Sequence, residues 1–322
     1  MKAAVYYETG APDVLRYEDV QDPVAGPDEM LVRVEAVSIE GGDTLNRRGG
    51  AMTSVPHIVG YQSAGTVLTV GANVTGYHAG DRVVSTGMSG SHAQLRVVHP
   101  LASWRIPDGL ATELAACVPV AYGTAHDCLF EFGRLQDGET VLVHAGASGV
   151  GLAAIQMAKR AGARVLATAS GTERLDRLRA FGLDEGIDYT ASDFVAEVRA
   201  RTGGRGADVI LDSVGGSNLQ KSLAALAYRG RCVTFGDAGR EGTSTLDVSA
   251  MRASNQTLVG YFLGAELFTA TRAHTMIGSL LDDVANGDLK VVIDRTFALQ
   301  DAEEAHAFIE SRQAFGRVVL LP

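Results

Sequence analysis

A glycine-rich turn between an apolar strand and an apolar helix is the part of the sequence best suited to chemistry. Thr140–His144 has the residues of a buried strand, Leu152–Ala161 has apolar residues on one helical face, and Arg164–Ala169 is again strand-like. Glycines in the turn allow the backbone to approach a pyrophosphate, and the N–H groups of the first helical turn face an anion. This context predicts a dinucleotide site. The predicted phosphate-binding residues are Gly146, Ser148, Gly149, Val150 and Gly151.

Ser148 makes the match to Gly-x-Gly-x-x-Gly imperfect, so a plain strand–helix turn is the alternative. The position about 20 residues beyond the turn separates the nicotinamide cofactors, because a carboxylate there binds the ribose 2′-hydroxyl and repels a 2′-phosphate. Here the chain has Ser170 and Gly171, and Arg174 follows one turn into the next helix. Serine and arginine side chains can bind a phosphate, although Ser170 can also cap the helix and Glu173 argues against a phosphate. The sequence favours NADPH.

The composition excludes several classes of function. The chain has 322 residues, 46% of them hydrophobic and 20% charged, with a net charge of −10. This charge argues against nucleic acid or an anionic membrane surface as a partner. No stretch approaches the roughly 20 apolar residues of a membrane span, and residues 1–7 lack the apolar core of a signal peptide. Three scattered cysteines fit a reduced, cytoplasmic protein.

The pattern of predicted strands and helices changes along the chain. Residues 1–118 are rich in short strand candidates, whereas strands and helices alternate from residue 119, which predicts a parallel sheet with helices on both faces. That part includes a predicted helix 218–229 and a last strand 256–263. A long helix is predicted over 266–285, and residues 263–322 are expected to return to the first domain. The predicted fold class is α/β, with domains at 1–118, 119–262 and 263–322.

The motifs together resemble those of the medium-chain dehydrogenase/reductase superfamily, over essentially the full chain. They are HAGASGVGLAAIQMAK, PHIVGYQSAGTV, DVILDSVGG, RGRCVTFG and the terminal FGRVVLLP. The zinc-independent quinone oxidoreductases, the group that includes ζ-crystallin, are the most similar. This resemblance implies a β-rich GroES-like domain, built from both chain ends, beside a doubly wound Rossmann domain.

The resemblance also implies further cofactor contacts. Tyr189 resembles the position beside the 2′-phosphate, Thr124 is expected near the nicotinamide half, and Arg317 near the charged backbone of the cofactor. The remaining expected contacts are Gly216, Phe235, Gly236, Tyr261, Phe262 and Leu263.

The residue types predict that no metal is bound. Zinc members of the superfamily have a cysteine where this chain has Glu40, and Gly-His-Glu where it has Gly60, Tyr61 and Gln62. The sequence has no cluster of four cysteines between residues 80 and 105. Two carboxylates without nitrogen or sulfur ligands suit zinc poorly.

The candidate catalytic residues depart from the family pattern. Many members have Asn-x-x-Asp-x-Tyr where this chain has Glu40-Gly-Gly-Asp43-Thr-Leu45. Asp43 matches, but the tyrosine is missing, so Tyr61 or Tyr122 becomes the candidate proton donor. The alternative for both tyrosines is packing with a satisfied hydroxyl, and Asp43 can equally be a cap or turn residue.

The predicted function is an NADPH-dependent, zinc-independent reductase of quinones or α,β-unsaturated carbonyl compounds. The alternatives are an enoyl-thioester reductase and a non-catalytic NADPH-binding protein. A homodimer is predicted through the strand 256–263, whose apolar, uncharged sequence is poorly suited to an exposed edge. The alternative is that the following helix covers this edge.

Overall fold

The computed structural model describes residues 1–242, 244–269 and 271–322, without the side chain of Phe268. The chain divides into a first unit, residues 1–123 with 263–322, and a second unit, residues 124–262. Within the described ranges, every helix is too short or too polar to span a lipid bilayer.

The strands and helices are numbered in chain order. The strands are β1 (Lys2–Tyr6), β2 (Arg16–Asp19), β3 (Met30–Ser38), β4 (His57–Ile58), β5 (Gln62–Val70), β6 (Arg82–Thr86), β7 (Leu95–Val98), β8 (Ser103–Arg105), β9 (Thr140–Val143), β10 (Arg164–Ala169), β11 (Glu185–Asp188), β12 (Ala207–Asp212), β13 (Leu226–Thr234), β14 (Thr257–Gly260), β15 (Ile293–Ala298) and β16 (Arg317–Leu321). The helices are α1 (Gly41–Gly49), α2 (Thr112–Ala116), α3 (Pro119–His126), α4 (Gly149–Arg160), α5 (Thr172–Arg179), α6 (Phe194–Arg201), α7 (Gly216–Ala225), α8 (Val248–Ala253), α9 (Leu263–Thr269), α10 (Thr271–Ala285) and α11 (Ala302–Glu310).

The second unit is built on one parallel sheet. Its strand order is β11-β10-β9-β12-β13-β14, the order of a doubly wound dinucleotide-binding fold. Strand β9 is buried throughout, as its Thr-Val-Leu-Val sequence predicts. The order reverses beside β9, and ligands of such sheets bind at the carboxyl ends of the strands at this point. The predicted Rossmann domain is confirmed.

The first unit is β-rich and uses both ends of the chain. Its larger sheet has the order β15-β16-β3-β5-β6-β8, with β7 also paired to β3, and β1, β2 and β4 form a second sheet. The C-terminal strand β16 runs antiparallel to β3, with Leu320 opposite Val37. Both side chains are fully buried in one apolar cluster. The C-terminal strand thus lies in the same sheet as an N-terminal strand and shares its apolar core.

Two predicted elements are wrong in their bounds. The helix predicted over 218–229 ends at Ala225, and Leu226 already pairs with Ala207 of β12. Leu226 is buried in the core of the sheet, so strand pairing overrides the local helix propensity. The strand predicted over 256–263 is shorter, since Leu263 begins α9. Ala270, inside the helix predicted over 266–285, lies outside the described residues.

Candidate functional site

The glycine-rich turn joins β9 to α4 in the second unit. Ser148 caps α4, and its Oγ accepts a hydrogen bond from the Gly151 N–H at 3.0 Å. The Gly146 N–H donates to the Thr168 carbonyl at 2.8 Å, which ties the turn to β10. The imperfect position of the motif thus has a local role, because a serine satisfies one of the unpaired N–H groups of the first helical turn.

Two of the glycines are required by close packing. A Cβ on Gly151 would lie 2.4 Å from the Ala145 carbonyl oxygen, and a Cβ on Gly146 would lie 2.9 Å from the Cβ of Ala167. Helix α4 therefore begins directly against the turn. Its N-terminal N–H groups and helix dipole form a surface suited to a pyrophosphate.

The end of β10 has the polar residues predicted for a 2′-phosphate. Arg174 Nη1 donates to Ser170 Oγ at 3.3 Å, and both side chains are half-buried. Gly171 lies between them with φ of +80°, a conformation that favours glycine. Glu173 is exposed. A cation and a hydroxyl therefore stand together at this strand end, and their binding to a 2′-phosphate stays a prediction.

Asp188, at the end of β11, is a residue that sequence reasoning missed. Its carboxylate accepts hydrogen bonds from the Thr190 hydroxyl and from the N–H groups of Gly171 and Thr190, and these lower the pKa of Asp188. Asp188 thus holds the turn after β10, beside the exposed Tyr189. The sequence pattern that could have predicted this role is an aspartate two residues before a threonine at the end of a predicted strand, which is typical of a turn held by the aspartate side chain.

A buried chain of hydrogen-bonded polar side chains links strands β9, β10 and β12 near the glycine-rich turn. His144 bonds Thr168 Oγ1 through Nδ1 and Ser222 Oγ through Nε2, each at 3.0 Å, and Ser222 donates to Asp212 Oδ2 at 2.8 Å. Burial lowers the pKa of His144, so the ring is neutral. This chain connects β9, β10 and β12. It was also missed, although a histidine directly after a buried strand is a visible signal.

Three other predicted cofactor residues of the second unit, Gly216, Phe235 and Gly236, lie after the carboxyl ends of strands. Gly216 and Gly236 follow the carboxyl ends of β12 and β13, and a Cβ on Gly236 would lie 2.8 Å from the Ser213 carbonyl oxygen. Phe235 is held there by its N–H to the Asp212 carbonyl at 3.0 Å.

Thr124 and Tyr261 are buried. The Tyr261 hydroxyl donates to Asp127 Oδ2 at 3.0 Å. Phe262, by contrast, is 53% exposed. Leu263 belongs to the first unit and is buried.

In the first unit, Glu40, which stands where zinc members of the superfamily have a cysteine, forms a buried ion pair with Arg317. Arg317 donates to the Glu40 carboxylate, and it also donates to Ser38 Oγ through Nε at 3.0 Å and to the Ile39 carbonyl at 2.8 Å. Gln62 donates to the same Glu40 oxygen. Burial raises the pKa of Glu40, and the Arg317 charge opposes this shift. The guanidinium of Arg317 is thus engaged within its own unit, and its role at the cofactor stays a prediction.

The residues at this position do not fit zinc. The Glu40 oxygen is bonded by Arg317 and Gln62, and the Gln62 carbonyl oxygen accepts from the Val120 N–H at 3.0 Å. Among the side chains that the structure describes, no group of three or more His, Cys, Asp or Glu is arranged to hold a metal ion. The Arg317 guanidinium bonded to the Glu40 carboxylate repels a cation, and oxygen ligands without a histidine nitrogen or a cysteine sulfur suit zinc poorly.

The three predicted catalytic residues, Asp43, Tyr61 and Tyr122, differ in their burial and in their hydrogen bonds. Asp43 is fully buried in α1, where its two oxygens accept the N–H groups of Glu40 at 2.8 Å and Tyr61 at 3.1 Å. Burial raises the pKa of Asp43 to about 8. The Tyr122 hydroxyl donates to the Lys290 carbonyl at 2.7 Å and is buried. Tyr61 is half-buried, and its hydroxyl accepts from Asn46 Nδ2 at 3.0 Å. Asn46 was missed, because nothing in its spacing connects it with Tyr61.

Comparisons with known proteins agree with this arrangement. Family models for the alcohol dehydrogenase GroES-like domain and for zinc-binding dehydrogenase match residues 26–117 and 149–279. The chain is 35% identical over 316 residues to a quinone oxidoreductase of Pseudomonas aeruginosa, covering 97% of both. It is 31% identical over 329 residues to a 2-haloacrylate reductase of Burkholderia sp, covering 99% of this chain and 98% of the relative. The fold matches Escherichia coli quinone oxidoreductase complexed with NADPH with a TM-score of 0.95 and 27% identity over the full length of both chains.

Proposed function

Because this chain belongs to the medium-chain dehydrogenase/reductase superfamily, and within it to the family of zinc-independent quinone oxidoreductases, we propose that it reduces quinones or α,β-unsaturated carbonyl compounds with NADPH. The observation that carries the proposal is the strand end at Ser170 and Arg174, where a hydroxyl and a guanidinium replace the acid of an NAD site. The NADPH complex of the Escherichia coli neighbour and the quinone and 2-haloacrylate specificities named for the relatives support it.

The residues of the second unit fit a dinucleotide. The N–H groups at the start of α4 bind the pyrophosphate, and Ser170 with Arg174 binds the 2′-phosphate, with Tyr189 beside it. Gly216, Phe235 and Gly236, at the carboxyl ends of β12 and β13, face the rest of the cofactor. When bound, NADPH supplies a hydride.

The residues of the first unit act on the substrate. Tyr61 is the proton donor, since this residue is half-buried and its hydroxyl accepts a hydrogen bond from Asn46, whereas the buried Tyr122 hydroxyl donates to the Lys290 carbonyl. Asp43 acts as a positioning residue that holds the Tyr61 backbone. No zinc takes part, and the hydrogen bond from Tyr61 polarises the acceptor oxygen instead.

We also infer a cytoplasmic homodimer that acts on a small molecule. Strand β14 is the last strand of the parallel sheet and pairs with β13. Its Leu258 and Val259 are half-buried within the single chain. An antiparallel pairing with the β14 strand of a second copy satisfies the outward backbone groups of both and closes the assembly. The three reduced, buried cysteines support a cytoplasmic protein.

The test is a panel of quinones, enones and enoyl thioesters assayed for NADPH consumption. We expect turnover with quinones or enones, and a lower rate with NADH. Enoyl thioesters that outcompete both would instead identify an enoyl-thioester reductase. Tight NADPH binding without turnover on any member of the panel would identify a binding protein and overturn the proposal.

A further inference from the structure

Tyr61 is held at its backbone, ring and hydroxyl. Its N–H donates to Asp43 Oδ1 at 3.1 Å, and its carbonyl accepts from the Gly87 N–H at 2.7 Å and from Arg96 Nη2 at 3.0 Å. The ring lies on Gly42, where a Cβ would come within 2.3 Å of Tyr61 Cε2. These contacts fix the position of the hydroxyl, which is the preorganisation that a reacting group needs.

The direction of the remaining hydrogen bond determines what the hydroxyl can do. Asn46 Nδ2 donates to the Tyr61 Oη at 3.0 Å. A phenol has one proton and oxygen lone pairs, so a donor from Asn46 occupies a lone pair and leaves the proton for another acceptor. Tyr61 as a residue is half-buried, so part of it is open to solvent. Tyr122 differs, because its proton is bonded to the Lys290 carbonyl.

We propose that Asn46 is a positioning residue that makes Tyr61 a dedicated proton donor, and that the substrate is therefore an α,β-unsaturated carbonyl compound. This proposal rests on the proposed function. A C–H bond of the reduced nicotinamide breaks and its hydride forms a C–H bond at the β-carbon. The C=C pair becomes a double bond between the α-carbon and the carbonyl carbon, and the π pair of the C=O bond moves to the oxygen. The Tyr61 proton passes to that oxygen, solvent returns a proton to the phenolate, and the enol tautomerises to the saturated carbonyl. One hydride and one proton are consumed in total.

The chemistry favours this substrate class over quinones. A quinone becomes aromatic when it accepts a hydride, so its oxygen anion forms readily and solvent can protonate it. An enone gains no aromatic stabilisation when it accepts a hydride. The negative charge that develops on its oxygen is therefore stabilised more by a positioned proton donor.

The charged groups around Tyr61 suit this role. Burial raises the pKa of Tyr61, the Asp43 and Glu40 charges add to this effect, and the Asn46 amide opposes it. Arg96 donates to the backbone carbonyl of Tyr61. The phenol is thus protonated at neutral pH and ready to donate.

The experiment reverses the hydrogen bond with an isosteric change. In Asn46→Asp the introduced carboxylate accepts from the phenol and removes its proton from the substrate, and Asn46→Leu removes the donor without adding a charge. In protein labelled with ¹³Cζ-tyrosine, with the Tyr61 resonance assigned from Tyr61→Phe, we expect both variants to shift the Tyr61 titration upward, by about one pH unit in Asn46→Asp. The ratio of kcat/KM for enones to that for quinones should fall about tenfold in the Asn46 variants and in Tyr61→Phe.

The chain offers a matched control. Asn255 Nδ2 donates to the Tyr228 hydroxyl, also at 3.0 Å, but this pair is exposed. Tyr228→Phe should leave the enone-to-quinone ratio unchanged, and the Tyr228 resonance should titrate alike in all Asn46 variants.

An unchanged Tyr61 titration in both Asn46 variants overturns the role of Asn46, whatever the enzyme reduces. A wild type that reduces quinones but no enone overturns the substrate class and leaves the proposed function standing. A wild type that oxidises no NADPH refutes the proposed function and, with it, the substrate class, while the NMR titration still decides on Asn46.

Discussion

Arg317 of the C-terminal strand donates to Glu40 at the start of α1, and the two side chains are 8% and 6% exposed. Ser38 and the Ile39 carbonyl take further N–H groups of the guanidinium. The pair therefore joins the two chain ends that make up the first unit. It also places a cation beside Glu40, the residue that stands where the resemblance implies a cysteine ligand in zinc members.

Breaking this ion pair should strongly destabilise the first unit. Arg317→Met leaves the Glu40 carboxylate buried without its partner, so we expect a loss of about 3–5 kcal/mol in the free energy of unfolding. Adding Glu40→Gln should recover much of it, because the second variant removes the uncompensated charge. Urea unfolding measures both, with Lys2→Met at the exposed pair of Lys2 and Asp19 as a control of little effect. Additive losses in the double variant would show that the two residues act independently.

Arg174 should set the preference for NADPH. Arg174→Ala removes the cation beside Ser170, so NADPH binding should weaken by about 1–3 kcal/mol while NADH binding changes little. Isothermal titration calorimetry with both cofactors tests this. Arg177→Ala, one turn further along α5 and exposed, is the control. Equal losses for NADPH and NADH would place Arg174 away from the phosphate.

Removal of metal ions should leave the activity intact. Glu40 and Gln62 are engaged with Arg317 and the Val120 N–H, and this donor set does not suit zinc. After extended dialysis against a strong chelator, we expect unchanged NADPH turnover and less than one zinc per chain by elemental analysis. Activity that is lost and returns only with added zinc would contradict this.

The dimer prediction can be tested at a single backbone donor. The Tyr261 N–H donates to the Thr234 carbonyl of β13, so alternation directs the N–H groups of Thr257 and Val259 toward β13 and that of Leu258 outward. Leu258→Pro therefore removes a donor from the free edge and should shift a dimer toward monomer. Light scattering at micromolar concentration measures the mass.

Val259→Pro is the matched control, since it damages the pairing with β13 and should lower the melting temperature as well. A monomeric wild type would refute the dimer.

The sequence by itself determined the glycine-rich turn between β9 and α4 and its surroundings. The residues from β9 to α4 are adjacent in the chain. Ser170, just before α5, and Arg174, in its first turn, are only four residues apart, so both pieces of the geometry are local. The α/β class and the β-rich first part also followed from periodicity, because each strand and helix shows its own repeat of apolar residues.

Only the tertiary structure decided the chemistry of the first unit. Glu40 and Arg317 are 277 residues apart, and Asn46 reaches Tyr61 only because α1 folds against the chain before β5. No local pattern encodes such contacts. The end of α7 at Ala225 and the outward direction of Leu258 likewise depend on pairing with neighbouring strands, since a ladder of hydrogen bonds and a buried face outweigh the propensity of the segment itself.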